Sequence, residues 1–292
     1  MAKAYALYNP IAGNGQKDEP LEKLQEKVSD ELILLDITAD GSYDRLLSEI
    51  ENDDYIIVCG GDGTLNRFIN RIADTVIDND IRYFPSGSGN DFARELGKEK
   101  YAAPFSIKEY LVSLPSVEVN GKASLFLNGI GFGIDGYCCE EGDRLRATSD
   151  KPVDYTAIAI KGLLFHYKPT NAKVTVDGKE YEFKKVWIAP TMLGKHYGGG
   201  MTPAPDQDRC SEGGELSVML FHDTSALKTL MIFPSLFKGE HVKHTKYVTI
   251  LKGHDISVEF DSPRSAQIDG ETVIGVTGYR AKSAKLVRTE IK

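Results

Sequence analysis

The chain has 292 residues, 41% hydrophobic and 27% charged, with 28 Gly and 12 Pro. Two domains of roughly 100–200 residues each are expected, and so many apolar residues exclude a disordered or fibrous chain. The net charge of −8 is uneven: residues 1–120 hold 12 Lys and Arg against 22 Asp and Glu, residues 121–292 hold 23 against 21, and all six His lie in the latter. Neither part has the basic excess of a nucleic-acid binder. No run approaches the roughly 20 apolar residues of a membrane-crossing helix. The opening MAKAYALYNP lacks the apolar core and cleavage site of a signal peptide, so a cytosolic protein is expected. Cys59, Cys138, Cys139 and Cys210 form no CxxC pair, which argues for reduced thiols in or near cores rather than a zinc site or disulfides.

In chain order, the first part alternates strand and helix. YALYN (Tyr5–Asn9) reads as a strand, Pro20–Val28 as an amphipathic helix, and Leu32–Thr38 and Tyr55–Gly60 as apolar strands buried on both faces of a parallel sheet. Ser42 stands where a cap for the helix YDRLLSEI is wanted. The helix LNRFINRIA leads into a fourth strand, Ile81–Pro85, followed by a helix NDFAREL. This rhythm predicts an α/β domain with a doubly wound, mostly parallel sheet, binding ligands at the carboxyl ends of its strands. The second part predicts a mainly antiparallel, sandwich-like β domain. Asn120-Gly121, Asp177-Gly178 and Asp269-Gly270 each sit between strand-like segments, as in β-hairpins, and helices interrupt near Tyr155–Tyr167 and Ser225–Phe237. The boundary is expected around Pro115–Asn120, giving domains of 1–118 and 119–292.

The strongest local signal is Gly60-Gly61-Asp62-Gly63-Thr64-Leu65-Asn66, between a buried strand and an amphipathic helix. Glycines let backbone approach a ligand, and a helix N-terminus offers free N–H groups to phosphate oxygens. A carboxylate there, Asp62, would repel phosphates unless a cation intervened, which points to Mg2+. The plain alternative is a tight turn with Asp62 or Thr64 capping the helix. No dinucleotide fingerprint or Walker A sequence occurs. A second loop, Pro85–Phe92, offers Ser88 and Asn90 to phosphate or ribose, though Asn90 would serve equally as an N-cap. The third, Asn9-Pro10-Ile11-Ala12-Gly13-Asn14-Gly15, follows the first strand. Three such loops at one sheet edge favour a nucleotide site over three coincidental turns.

NPIAGNG, VCGGDGTLN and PSGSGNDFARELG, in this order and spacing, resemble the diacylglycerol-kinase catalytic domain, a family that includes soluble bacterial lipid kinases and the sphingosine and ceramide kinases. The likeness continues through Gly198–Asp206, Phe237–His244 and Gln267–Glu271. It implies a two-domain kinase with its active site in a cleft between the domains, with the last ten or so residues returning to the first. ATP as co-substrate would then be held by Asn9, Pro10, Ile11, Ala12 and Gly13, by Thr38, by Gly60 to Asn66, and by the region of Ser88, Asn90 and Asp91. Asp62 would join a Mg2+ and water network, and Glu271 would be the general base. Arg67 stands where an acidic residue is common, Ser88 where Thr is, and Glu118 where an Asp near the metal network is expected. The resemblance also implies a structural magnesium at an acidic pair before Gly. That stretch reads Asp208-Arg209-Cys210-Ser211-Glu212-Gly213-Gly214-Glu215, and Glu212 is the candidate surviving ligand.

Phosphoryl transfer needs the γ-phosphate held, its charge neutralised and the acceptor hydroxyl placed in line, with a carboxylate in reach to take the proton. Glu271, just past a hairpin turn, suits that role, whereas without the resemblance it would read as a solvated turn residue. His241 and His244 are spaced i and i+3 without a carboxylate or cysteine cluster, so a polar loop is expected there rather than a metal site. Residues 222–256 hold five Lys, three acidic residues and four His, a mild positive balance open to anionic headgroups or simply to solvent. The run Ile158–Phe165 suits an acyl-chain groove and a core-facing helix alike. The reading that follows is a cytoplasmic lipid kinase, peripheral to the membrane from which it takes a diacylglycerol-like lipid, without nucleic-acid partners and compatible with a homodimer. An NAD kinase-like enzyme and a non-catalytic nucleotide-binding regulator are the alternatives.

Overall fold

Short apolar runs flanked by polar turns set the order of elements. The computed structural model describes residues 2–10, 19–149 and 153–284, which fall into two compact units parting between Ser113 and Leu114. The expected return of the last residues to the first domain falls mainly on 285–292, outside the described residues. The first unit comprises β1 (Lys3–Tyr8), α1 (Glu19–Gln25), β2 (Glu31–Asp36), α2 (Ser42–Glu49), β3 (Tyr55–Gly60), α3 (Asp62–Arg71), β4 (Asp80–Pro85), α4 (Asp91–Glu95), β5 (Phe105–Ser106) and α5 (Lys108–Leu111). Its sheet has the order β2-β1-β3-β4-β5; β1 to β4 run parallel and only β5 is antiparallel. Every residue of β3 is buried. Ala4, Ala6, Ile57 and Phe84 pack with Leu24 of α1, while Tyr5, Leu7, Ile56 and Val58 are buried as well. Burial on both faces is what a doubly wound sheet requires.

Two local expectations change. The strand β2 stops at Asp36, not Thr38, because the Asp36 carboxylate accepts from both the backbone N–H (2.8 Å) and the hydroxyl (2.7 Å) of Thr38 and turns the chain off the sheet. Ser42 does not cap α2; Gly41 holds that position at φ 78°, and the Ser42 hydroxyl donates to the Asp36 carbonyl.

The second unit runs β6 (Ser116–Val119), β7 (Lys122–Leu125), β8 (Gly129–Phe132), α6 (Ile134–Arg146) and α7 (Tyr155–Lys161), the last continuing as a π turn over Gly162–His166. Then come β9 (Thr170–Val176), β10 (Lys179–Val186), β11 (Thr191–Met192), β12 (Leu216–Phe221), α8 (Ala226–Ile232) with 3-10 turns over Phe233–Lys238 and Glu240–Lys243, β13 (Val248–Gly253), β14 (Asp255–Ile268) and β15 (Glu271–Lys282). The expected boundary at 118/119 falls inside β6, which pairs with β7 and β15 and so belongs to this unit. Asn120-Gly121, Asp177-Gly178 and Asp269-Gly270 all turn hairpins, with positive φ at both residues of each pair, as the twist-matched two-residue turn demands. Long β14 pairs with β9 through Ile256–Phe260 and with β8 through Ala266–Ile268, with register breaks between. Such irregularity bends a strand, and the core closes around it, with the Phe132 and Phe260 rings stacked at 3.9 Å.

The helix α6 is absent from the sequence reading. The expected helix near Tyr155–Tyr167 has two different sides: Ile158, Ala159 and Leu163 are buried, while Ile160, Leu164 and Phe165 are exposed. The polar loop expected around His241 is a 3-10 turn instead. His241 is buried, its Nε2 bonds the Pro203 carbonyl, and burial lowers its pKa. Cys59 is buried, Cys138 and Cys139 are partly so, and Cys210 is exposed, contrary to the expectation of a core position.

Candidate active site

In the first sheet the chain passes from β1 outward to β2 and then returns to β3 on β1's other side. Loops leaving the carboxyl ends of β1 and β3 diverge there, at the switch point where open α/β sheets bind ligands. Tyr8 lies level with Cys59, and Gly60 with Pro85, so the loops after β1, β3 and β4 issue from one edge. Asn9 and Pro10 follow β1 directly; Ile11, Ala12 and Gly13 lie outside the described residues. Thr38 is exposed beyond β2, and Ser88 is exposed in the loop after β4.

The loops after β3 and β4 form one scaffold. A Cβ on Gly87 would lie 2.3 Å from the Gly61 Cα, so the close approach of the two backbones requires glycine at position 87. The Gly60 carbonyl accepts from Ser86 N–H (2.9 Å), Gly87 N–H (3.2 Å) and the Tyr83 hydroxyl (3.1 Å). Asn90 adopts a left-handed conformation, φ 49°, and its Nδ2 donates to the Gly87 carbonyl at 2.8 Å. Its side chain does not cap α4. That task falls to Asp62: its two carboxylate oxygens accept from the backbone N–H groups of Asp91 (2.9 Å) and Phe92 (3.0 Å). The first residue of α3 thus caps another helix. Thr64, Leu65, Asn66 and Asp91 are buried behind this junction, and Gly61, Asp62 and Gly63 are half-buried at its surface. The first-turn N–H groups of α3 have no partners within their own helix, which suits phosphate oxygens.

The donor set limits what a metal ion can do here. Asp62 already receives two amides, and no group of three His, Cys, Asp or Glu side chains capable of holding an ion occurs among the described residues. This fits an ion carried mainly by phosphate oxygens and water, with Asp62 reached through water. It does not fit a second ion held by protein ligands. Glu212 is exposed, and Glu118 is exposed on β6 opposite Arg280.

Glu271 is the first residue of β15, opposite Ile268 across the Asp269-Gly270 turn, and is half-buried. Asp269 holds this turn rigidly: its carboxylate accepts from the N–H groups of Leu127 (2.6 Å), Asn128 (2.8 Å) and Gly129 (3.0 Å). Gln267, also buried, accepts from Gly270 N–H at 2.6 Å. Negative charge on Glu271 is felt at α6, where the Cys139 thiol is pushed up to about 12, first by burial and then by Asp135, Asp143 and Glu271.

Asp135, at the start of α6, escaped the sequence reading. It is buried, and its carboxyl is pushed up to about 6 by burial, against the pull of the backbone N–H groups of Asp135 and Gly136 and of the Tyr197 hydroxyl. A Cβ on Gly131 would fall 1.5 Å from its Oδ2, so the glycine makes room for the acid. The signal was present as Gly129-Ile130-Gly131-Phe132-Gly133-Ile134-Asp135, a fourth strand-to-helix glycine run in the chain. Beside it, a cavity of about 400 Å3 is lined by Tyr137, Tyr167, Lys168, Arg264 and Ile274 among others.

With this geometry in view, the comparisons with known proteins are decisive. Residues 3–113 match the model of the diacylglycerol kinase catalytic domain, and residues 128–284 match that of the YegS C-terminal NAD kinase beta sandwich-like domain. The chain belongs to the diacylglycerol kinase family of lipid kinases. Among its relatives, a diacylglycerol kinase of Mycobacterium tuberculosis (strain CDC 1551 / Oshkosh) is 26% identical over 255 residues, covering 83% of this chain and 81% of that protein. A diacylglycerol kinase of Bacillus subtilis (strain 168) is 25% identical over 289 residues, covering 93% and 90%. A solved structure described as a diacylglycerol kinase from Bacillus anthracis str. Sterne superposes with a TM-score of 0.59 at 21% identity, covering 97% of this chain and 94% of that one. The α/β unit and the antiparallel sandwich are thus the two domains of this kinase family.

Proposed function

We propose that the chain transfers the γ-phosphate of ATP, in the presence of Mg2+, to a hydroxyl of diacylglycerol or a similar lipid. The observation that carries this reading is the junction of the glycine loops after β3 and β4, clamped by Asp62. It sets the N-terminus of α3, whose first-turn N–H groups lack partners within their own helix, beside a carboxylate on a closely packed scaffold. When bound, Mg2+ neutralises charge on the transferring phosphoryl group. Asn9, Pro10, Thr38, Ser88 and the Gly60–Asn66 turn would hold the nucleotide, and Asp62 would orient the ion's water. Glu271, on a hairpin locked by Asp269, would accept the proton of the acceptor hydroxyl.

The acceptor side is supported by the second unit. The cavity lined by Tyr137, Tyr167, Lys168, Arg264 and Ile274 adjoins in sequence the exposed Leu164 and Phe165 of the π turn. The helix α8 packs against that turn and exposes Leu227 and Met231, with Lys161, Lys168 and Lys238 nearby in sequence. Exposed apolar residues amid lysines suit transient contact with an anionic membrane surface, where each lysine contributes about 1 kcal/mol. No helix among the described residues is long and apolar enough to cross a membrane.

The test is transfer of labelled γ-phosphate from ATP-Mg2+ to diacylglycerol in anionic vesicles and to a short-chain soluble analogue, with NAD+ as a parallel acceptor. Glu271→Gln is expected to lower kcat roughly 10²- to 10⁴-fold. Phe165→Asp should impair turnover on vesicles while sparing the soluble analogue. Product on NAD+ alone, or full activity of Glu271→Gln, would overturn the reading.

A further inference from the structure

The stretch in which the family resemblance leads one to expect an acidic pair before Gly reads Asp208-Arg209-Cys210-Ser211-Glu212-Gly213, and the structure shows what its arginine does. One Arg209 nitrogen donates to the Leu127 carbonyl at 3.2 Å, and the other terminal nitrogen to the Asn128 side-chain oxygen at 3.1 Å. Asn128 is buried, and its own carbonyl accepts from the N–H groups of Leu193 (2.9 Å) and Gly194 (3.0 Å). The guanidinium thus ties the loop after Gln207 to the strand entry at residues 127–129. From the other side, the same three residues donate their N–H groups to the Asp269 carboxylate. Asp269 N–H in turn donates to the Gly129 carbonyl at 3.1 Å.

Neighbouring acids are not arranged to hold an ion. Asp208 spends one oxygen on the Cys210 N–H at 3.0 Å, Glu212 is exposed, and the loop is already pinned at Gln207, whose side chain donates to the Glu215 carbonyl at 2.7 Å. A divalent cation beside Arg209 would also meet a fixed positive charge. We infer that the Arg209 guanidinium takes the place of the second, structural cation. It cross-links the 207–215 loop to residues 127–129 with a covalently attached charge, so this unit holds its shape without a protein-bound metal.

Arg209 is therefore a positioning residue for the hairpin that carries Glu271, acting through Asn128 and Asp269. Its planar fork satisfies two acceptors at once, which a lysine cannot reproduce. The link to Glu271 rests on the base proposed above; the metal independence does not.

The experiment uses the full chain, free of nucleotide. After dialysis, elemental analysis should find no stoichiometric Mg2+ or Ca2+, and the thermal midpoint should be the same in EDTA as in excess of either ion. A resident ion held well above its Kd would raise that midpoint by several degrees. Arg209→Met should lower the midpoint and reduce kcat about tenfold with KM for ATP unchanged, as expected when only the base is displaced. Arg209→Lys, which keeps the charge and one bond, should fall between. A stoichiometric ion whose removal by EDTA lowers the midpoint would overturn the inference, as would an Arg209→Met protein with wild-type midpoint and kcat. Metal content and melting are read whether or not any lipid is phosphorylated, so failure here is distinguishable from failure of the kinase reading. Should Arg209→Met not fold, the EDTA comparison on the native chain and the Arg209→Lys variant decide.

Discussion

Replacing Asp135 by Asn should flatten the pH dependence of stability in the second unit. The carboxyl titrates at about 6 in the folded protein against 3.8 in an unstructured chain, with burial as the main cause. Because the folded state binds the proton more tightly, the wild type gains stability as pH falls through 6 and carries the full penalty above it. That penalty amounts to roughly 3 kcal/mol at neutral pH, at 1.36 kcal/mol per pKa unit. Between pH 7 and pH 5 the wild type should recover about 1.3 kcal/mol that Asp135→Asn does not. Trp187 is the single tryptophan of the chain, is buried in this unit and reports its unfolding by fluorescence. Urea titrations at pH 5, 6 and 7 then give the free energies by linear extrapolation. Other groups titrate alike in both proteins, so the difference in slope isolates Asp135. Equal slopes for variant and wild type would refute the assignment of a buried, proton-holding carboxyl. Absolute stability at pH 7 is a poorer guide, because the new amide brings N–H donors that need partners of their own.

Two further outcomes follow from the loop junction. Asp62→Asn replaces one acceptor oxygen by a donor facing the amides of α4 and should cost about 1–2 kcal/mol. Hydrogen exchange at Asp91 and Phe92 should quicken, and unchanged protection at both amides would sink the cap. Gly87→Ala places a methyl against the Gly61 backbone, a strain of roughly 1–3 kcal/mol, and should weaken ATP binding at least about tenfold by parting the loops; calorimetric titration giving a native Kd would show that the close approach is unimportant.

Much of the architecture was legible because its signals are local. β3 and the three Asx-Gly hairpins depend on unbroken apolar runs and on residues that tolerate positive φ, and both are read directly from neighbouring letters. The glycine loops were legible for the same reason, since strand-to-helix turns with free backbone amides need small residues in sequence. The helix α6 was not, because its small and polar positions give no clear apolar stripe. Gly136 and Gly142 are explained only by the Ser265 carbonyl and the Tyr155 ring packed against them, where a Cβ would lie 1.9 and 2.7 Å away.

Partners distant in sequence decided the rest. Asp62 had two readings, metal network or cap of its own helix, and the fold adds a third that neither contained: it caps α4, 29 residues further on. Asp269 and Arg209 grip residues 127–129 from positions 142 and 82 residues away. Asp135 becomes a high-pKa acid only because β8 and the strand carrying Gln267 close around it. Composition and periodicity report which residues prefer to be buried or turned. Which charges meet once they are buried depends on chain packing, and that is where the individual roles of these side chains were settled.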